Sequence, residues 1–261
     1  MSEKTKTQTK NNLNISDTNN SLVHNHFIQY FNKMDMSEIE PTTQNIKESI
    51  YEEDLNIVID ELIDLYSKLE GKEESIKRKR IFVYINDHKI SLQEIYNWLL
   101  NNPNDSNSVY LLGYFNYYGI ETDINKYKAF LFYQKAAEME NNVALYKLSK
   151  MYMDGKVVEK NYKKVFELSK KLAEKGYLPG LNKLGYCYDC GIGTEVDKQK
   201  AFELYQEAAN LGNIVAQYNI ALMYEYGKGV EKDISQAINW YKKSAEQGDK
   251  YSKNKLKTLL D

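Results

Sequence analysis

A 36-residue internal repeat dominates the second half of this chain and limits what it can fold into. Aligned against itself at that offset, the sequence shows an apolar column at Leu112, Leu148, Leu184, Ile220 and Leu256. Beside it runs a column of small residues, Gly113, Ser149, Gly185 and Ala221, and then a glycine in every unit at Gly119, Gly155, Gly191 and Gly227. Ala129, Val165, Ala201 and Ala237 follow, then Phe130, Phe166, Phe202 and Ile238, and finally Ala137, Ala173, Ala209 and Ala245. Many matched columns at one fixed offset are the signature of a stacked array.

Each unit reads as two helices. The first spans about 108–118, with small or apolar residues at 108, 112 and 115, the i, i+4, i+7 spacing of one helix face. The glycine at 119, 155, 191 or 227 stops it, because glycine enters the left-handed region at no steric cost. The second helix spans about 126–139, with Ala129, Phe132 or Phe130, Ala136 and Ala137 on its buried stripe. A second terminal glycine follows at Gly176, Gly212 and Gly248. Helices this short are marginal alone in water and must be stabilised by their neighbours, which is the physics of a solenoid.

The segment from Ala216 to Asp233, AQYNIALMYEYGKGVEKD, followed by Ala237 to Gly248, AINWYKKSAEQG, resembles a Sel1-like repeat. Length, both glycine positions and the Trp-Tyr-x-Lys-x-Ala-Glu-x-Gly ending agree. The resemblance covers 108–251 as four units, 108–143, 144–179, 180–215 and 216–251. Two departures stand out: Glu140 replaces the terminal glycine of the first unit, and Leu168-Ser169 replaces Trp-Tyr in the second. The resemblance implies an all-α, right-handed α/α superhelical solenoid that works as a non-catalytic protein-binding scaffold.

The N-terminal half shows no such repeat. Residues 1–22 are rich in Asn, Thr, Lys and Ser and read as a disordered tail. Residues 23–107 read as a helical cap on the first unit, with helices expected over 22–35, 45–69, 73–86 and 91–101, although the apolar run Ile81–Ile85 also allows a short strand. Ser91 with Glu94 forms a capping-box pattern for the last of these. Residues 252–261 read as a C-terminal capping helix. The run from Tyr96 to Ile120 also resembles a junction in fungal families where Sel1-like repeats follow a protein-kinase domain. This chain carries no His-Arg-Asp, Asp-Phe-Gly or glycine-rich kinase loop.

Several motifs read as structure. Cys187-Tyr-Asp-Cys190 lacks the βαβ context of a redox pair and the further ligands of a zinc site. Cys187 also occupies the core column of Phe115, Met151 and Met223. Gly191-Ile-Gly193 and Gly227-Lys-Gly229 join helix to helix, unlike a phosphate loop. Lys77-Arg-Lys-Arg80, a basic run of the nuclear-signal kind, follows Glu73 and Glu74 at i,i+4 spacing and reads as a solvated face. Ser252-Lys-Asn-Lys255 matches Ser-x-x-Lys but lacks the companion motifs of a serine acylase. His24 and His26, two apart, would point to different faces of a helix and do not make a metal pair at i,i+4 spacing.

Composition narrows the functions. A net charge of −2 gives no reason to expect nucleic acid. No apolar run is long enough for a membrane span. Two Cys are too few for a disulfide framework. Met1–Asn20 has no apolar core of a signal peptide, so the cytoplasm is the expected compartment, with nuclear import open. No cofactor or metal is expected. The 23 Tyr, against 8 Phe, suit helices that show a face to a partner.

The first helices are expected to line a concave, partner-binding surface. There, Leu111, Lys147, Lys183 and Asn219 form one column that varies between units, and Tyr114, Lys150, Tyr186 and Leu222 form another. Tyr114 and Tyr186 would be rigid anchors, and Lys147, Lys150 and Lys183 would steer an acidic segment; the same variable columns read equally as simply solvated positions. Two alternatives remain. One is a regulatory subunit of an enzyme of kinase signalling or cell-wall synthesis. The other is an adaptor of the endoplasmic reticulum, for which Asn14 and Asn104 supply formal glycosylation sequons.

Overall fold

A helix of 13 residues with a small-residue stripe buries too little surface to stand alone, so the question is what each helix packs against. The computed structural model of the chain describes residues 52–69, 72 and 74–260. Those residues form twelve helices and no strand: α1 (Glu52–Lys68), α2 (Glu74–Asp87), α3 (Leu92–Asn101), α4 (Ser106–Tyr118), α5 (Lys126–Glu138), α6 (Asn142–Asp154), α7 (Tyr162–Glu174), α8 (Leu178–Cys190), α9 (Lys198–Asn210), α10 (Ile214–Tyr226), α11 (Ile234–Glu246) and α12 (Lys250–Leu260). From α3 onward each helix packs on the next in sequence, while α1 packs on both α2 and α4. The result is an α/α solenoid. The helices expected over 22–35 and the start of 45–69 lie outside the described residues, as do Asn14, His24 and His26.

The same capping chemistry recurs in every unit. α4, α6, α8 and α10 end on Gly119, Gly155, Gly191 and Gly227, with φ between 67° and 70°. The chain then turns back, and the backbone N–H groups of Asn125, Asn161, Asp197 and Asp233 donate to the carbonyls of Asn116, Tyr152, Tyr188 and Tyr224 at 2.8–3.0 Å. Each of those four residues also caps the second helix with its side chain. One residue thus closes the hairpin and starts the return helix, which explains why Asn or Asp stands there in all four units.

Entry into the first helices is less uniform. Asn141 and Asn213 cap α6 and α10 with their side chains, whereas Tyr177 makes no side-chain cap and α8 carries Pro179 in its first turn instead. Proline is favoured there because its missing N–H is one the first turn leaves unpaired anyway. Ser91 and Glu94 form the capping box expected for α3.

The core follows the matched columns. Leu112, Leu148, Leu184 and Ile220 are buried, as are Ala129, Val165, Ala201 and Ala237. The tyrosines depart from the expectation that they face both core and water: Tyr110, Tyr133, Tyr205 and Tyr241 are among the largest fully buried side chains. Small residues make room for them. A Cβ on Gly113 would lie 2.7 Å from the Tyr133 ring, and one on Gly185 2.8 Å from Tyr205. In the second unit the partner of this column is Ser169, buried and bonded to the Val165 carbonyl, and there Ser149 replaces the glycine.

Candidate partner-binding surface

The two variable columns sit three residues apart on the first helices, so they share a face. The neighbours of each unit decide whether that face is open. In the first unit it is closed. Leu111 and Tyr114 are buried, not surface anchors. Tyr66 of α1 meets Tyr114 edge-on at 5.5 Å between ring centroids. Both residues, with Leu62, Arg78, Ile81 and Phe82, line an apolar cavity of about 20 Å³, room for no more than a water molecule. Burial first, and the Glu74 carboxylate next, raise the Tyr114 hydroxyl well above the usual tyrosine range. The covering helices belong to no repeat, so the repeat columns carry no sign of this closure.

The basic run of α2 takes part in the same closure. Lys77 is buried, with its ammonium 4.6 Å from the centre of the Tyr66 ring, and Arg78 lies 5.3 Å from the Tyr118 ring. The expected solvated lysine–arginine face is therefore turned partly inward onto tyrosines, an arrangement that cation–π attraction supports.

Lys147 is held in a similar way. Its ammonium lies 4.5 Å from the Tyr117 ring, 5.4 Å from Tyr118 and 5.9 Å from Tyr133. It is a cation caged by three aromatic rings, a structural role distinct from the steering role its column suggests. No signal within the repeat marks it, since Tyr117 and Tyr118 have no aromatic counterparts in the second and third units.

The remaining positions lie on the later units. Lys150, half-buried, sits 5.4 Å from the Tyr146 ring of its own helix. Lys183 lies 5.4 Å from Tyr186, which is 39% exposed. The neighbouring Cys190 thiol and, next, partial burial raise the Tyr186 hydroxyl, so it stays neutral and able to donate. Asn219 donates to Asn182 at 3.0 Å, linking two adjacent units. Leu222 is half-buried against the core of the last two units. These five residues, Lys150, Lys183, Tyr186, Asn219 and Leu222, are accessible on α6, α8 and α10.

Other motifs resolve in geometric terms. Cys187 is buried and Cys190 exposed, both as free thiols. Burial pushes the Cys187 thiol up, and its sulfur lies 3.9 Å from Ser169 Oγ. Lys255 donates to Glu225 at 2.8 Å and to the Tyr226 hydroxyl at 2.9 Å. Those acceptors hold the ammonium charged although burial opposes it, the opposite of what a Ser-x-x-Lys base requires. Among the described residues no group of three His, Cys, Asp or Glu side chains could hold a metal ion, and no helix is long and apolar enough to cross a membrane.

Comparison with known proteins agrees with this architecture. The Sel1 repeat family matches residues 106–141, 142–177, 178–213 and 214–249, a frame two residues earlier than the one read from the columns. A Sel1 repeat protein from Oxalobacter formigenes is similar in structure, with a TM-score of 0.59 and 30% identity, over 63% of this chain and 68% of that one. The c5321 protective antigen of uropathogenic Escherichia coli strains, which displays the same type of repeat fold, has a TM-score of 0.58 and 21% identity. The alignment covers 81% of this chain and 52% of that protein, so this chain spans about half its length. No curated protein is significantly similar to the chain.

Proposed function

Because the chain belongs to the Sel1 repeat family, whose members mediate protein–protein interactions, we propose that it is a non-catalytic scaffold. It captures a protein partner on the face formed by its first helices, the inner face of the solenoid. The observation that carries this reading is the contrast between columns. Positions that hold the hairpins together repeat from unit to unit, whereas Lys150, Lys183, Tyr186, Asn219 and Leu222 differ between units and remain accessible. A half-exposed tyrosine loses little rotamer freedom on binding and suits an anchor. Lys150 and Lys183 add attraction for an acidic segment. The expected setting is the cytoplasm.

The test compares partners captured by the full chain with those captured by a Tyr186→Ala/Lys183→Glu variant of unchanged helical content. Loss of the wild-type partners supports the reading, and their retention removes it. Leu111, Tyr114 and Lys147 are unsuitable for this test, because each is part of the packing at the N-terminal end of the array.

A further inference from the structure

Charge is unevenly distributed along the array. The second unit, 142–177, carries nine Lys against four carboxylates, whereas each of the other three has at least one more carboxylate than Lys. Much of the excess stands on one exposed arc of α7 and its C-terminal cap: Lys163, Lys164, Lys170, Lys171 and Lys175, exposed or half-buried, with Glu167 and Glu174 among them.

One carboxylate already sits on that arc. Glu140 occupies the turn between α5 and α6 with φ 64°, where the other three units have glycine. From there it reaches across the unit boundary. Lys171 Nζ lies 2.7 Å from its Oε1, and Lys175 pairs with its other oxygen. Those two lysines hold the carboxyl down at about 2. Two of the five, Lys171 and Lys175, thus converge on a carboxylate in the folded chain, while Lys164 bonds the Tyr152 hydroxyl and Lys170 lies 3.9 Å from Glu174.

We infer that this α7 ridge is a second docking surface, on a helix other than those lining the inner face, and that its ligand is an acidic peptide segment. The inference rests on the scaffold reading above. Carboxylates fit the ridge better than phosphates do for two reasons. Glu167 and Glu174 would repel an evenly charged phosphate polymer, whereas a peptide can place its own cations or amides opposite them. The array from 106 to 261 also contains no arginine, the side chain that matches phosphate in bidentate fashion.

The test is titration of a fluorescein-labelled poly-glutamate peptide with the full chain at low ionic strength, followed by anisotropy. Binding should weaken by about tenfold in Lys163→Glu/Lys170→Glu, the scale of two or three exposed charge contacts. It should tighten in Glu140→Gln, which removes the competing carboxylate from Lys171 and Lys175, and not in Glu246→Gln, an equal change of charge on an exposed residue of the last unit. A milder Lys163→Gln/Lys170→Gln variant, checked by circular dichroism, separates lost contacts from lost folding. Absence of binding, binding indifferent to both ridge variants, or tighter binding of oligothymidylate than of the peptide would each overturn the proposal. A Lys150→Glu/Lys183→Glu variant tells the two surfaces apart: it should lose the scaffold's partner and keep most of the peptide affinity.

Discussion

Tyr241 donates its hydroxyl to Glu225 Oε2 at 2.5 Å, joining the return helix of the last unit to its first helix through two buried side chains. Lys255 of α12 donates to the other carboxylate oxygen at 2.8 Å and to Tyr226. The network pins α12 onto the array. Tyr241→Phe should therefore cost about 1–3 kcal/mol, the penalty for leaving a buried charged acceptor short of a donor. Urea unfolding of the full chain measures it, and a cost below a few tenths would show the bond to be dispensable.

Acid should loosen two places first. Both Glu225 and Glu140 have carboxyls held below the usual range. At Glu225 burial pushes upward, but the hydrogen bonds from Lys255, Tyr241 and Tyr226 outweigh it; at Glu140 the lysine contacts lead. A lowered folded value means stability that is full above the unfolded carboxyl range, near about 4.3. It is lost as pH falls, for Glu140 down to about 2. The urea midpoint should drop between about pH 5 and 2, and less steeply in a Glu140→Gln/Glu225→Gln variant.

Glu140 also tests backbone strain against ion pairing. Its left-handed φ of 64° favours glycine, and its two ion pairs are surface pairs of small worth. Glu140→Gly should be more stable than wild type at neutral pH, and Glu140→Gln less stable. Thermal unfolding of the three proteins gives the order; a destabilised glycine variant would mean that the lysine contacts outweigh the strain.

The glycine–tyrosine fit offers a packing test. Gly113→Ala places a methyl group 2.7 Å from the Tyr133 ring and 3.2 Å from the Ala129 carbonyl. It should cost about 1–3 kcal/mol by overpacking, in contrast to the helix-propensity gain of up to about 1 kcal/mol expected at an open site. Gly185→Ala, facing Tyr205, should behave alike.

Lys147→Met removes a charge from a cage of three tyrosines while keeping its stem. It should cost about 1–2 kcal/mol if the aromatic faces stabilise the ammonium. An unchanged midpoint would indicate that the rings hold the stem and not the charge.

Most of the array was legible in the sequence, because a hairpin repeated four times exposes its core as columns. Leu148, Gly155 and Ala201 were each recognisable from their counterparts. What the repeat could not disclose was anything supplied from outside it. Leu111 and Tyr114 look like surface positions until α1 and α2 cover them, and those helices have no second copy to compare. Lys77 and Lys147 looked solvated because a cation's burial depends on aromatic rings brought near by folding, and charge counting does not see those rings. Nor do the columns explain why tyrosine is so common. In the structure it fills the core opposite small residues, as Tyr133 does beside Gly113.

The central claim is that each hairpin depends on its neighbours, which is what produces a long continuous surface. Far-UV circular dichroism of the isolated unit 142–177, set beside the four-unit array 106–261, tests it most directly. The account predicts a weak, non-cooperative helical signal from the single unit and a cooperative transition from the array. A single unit that melts cooperatively with full helical content would contradict it.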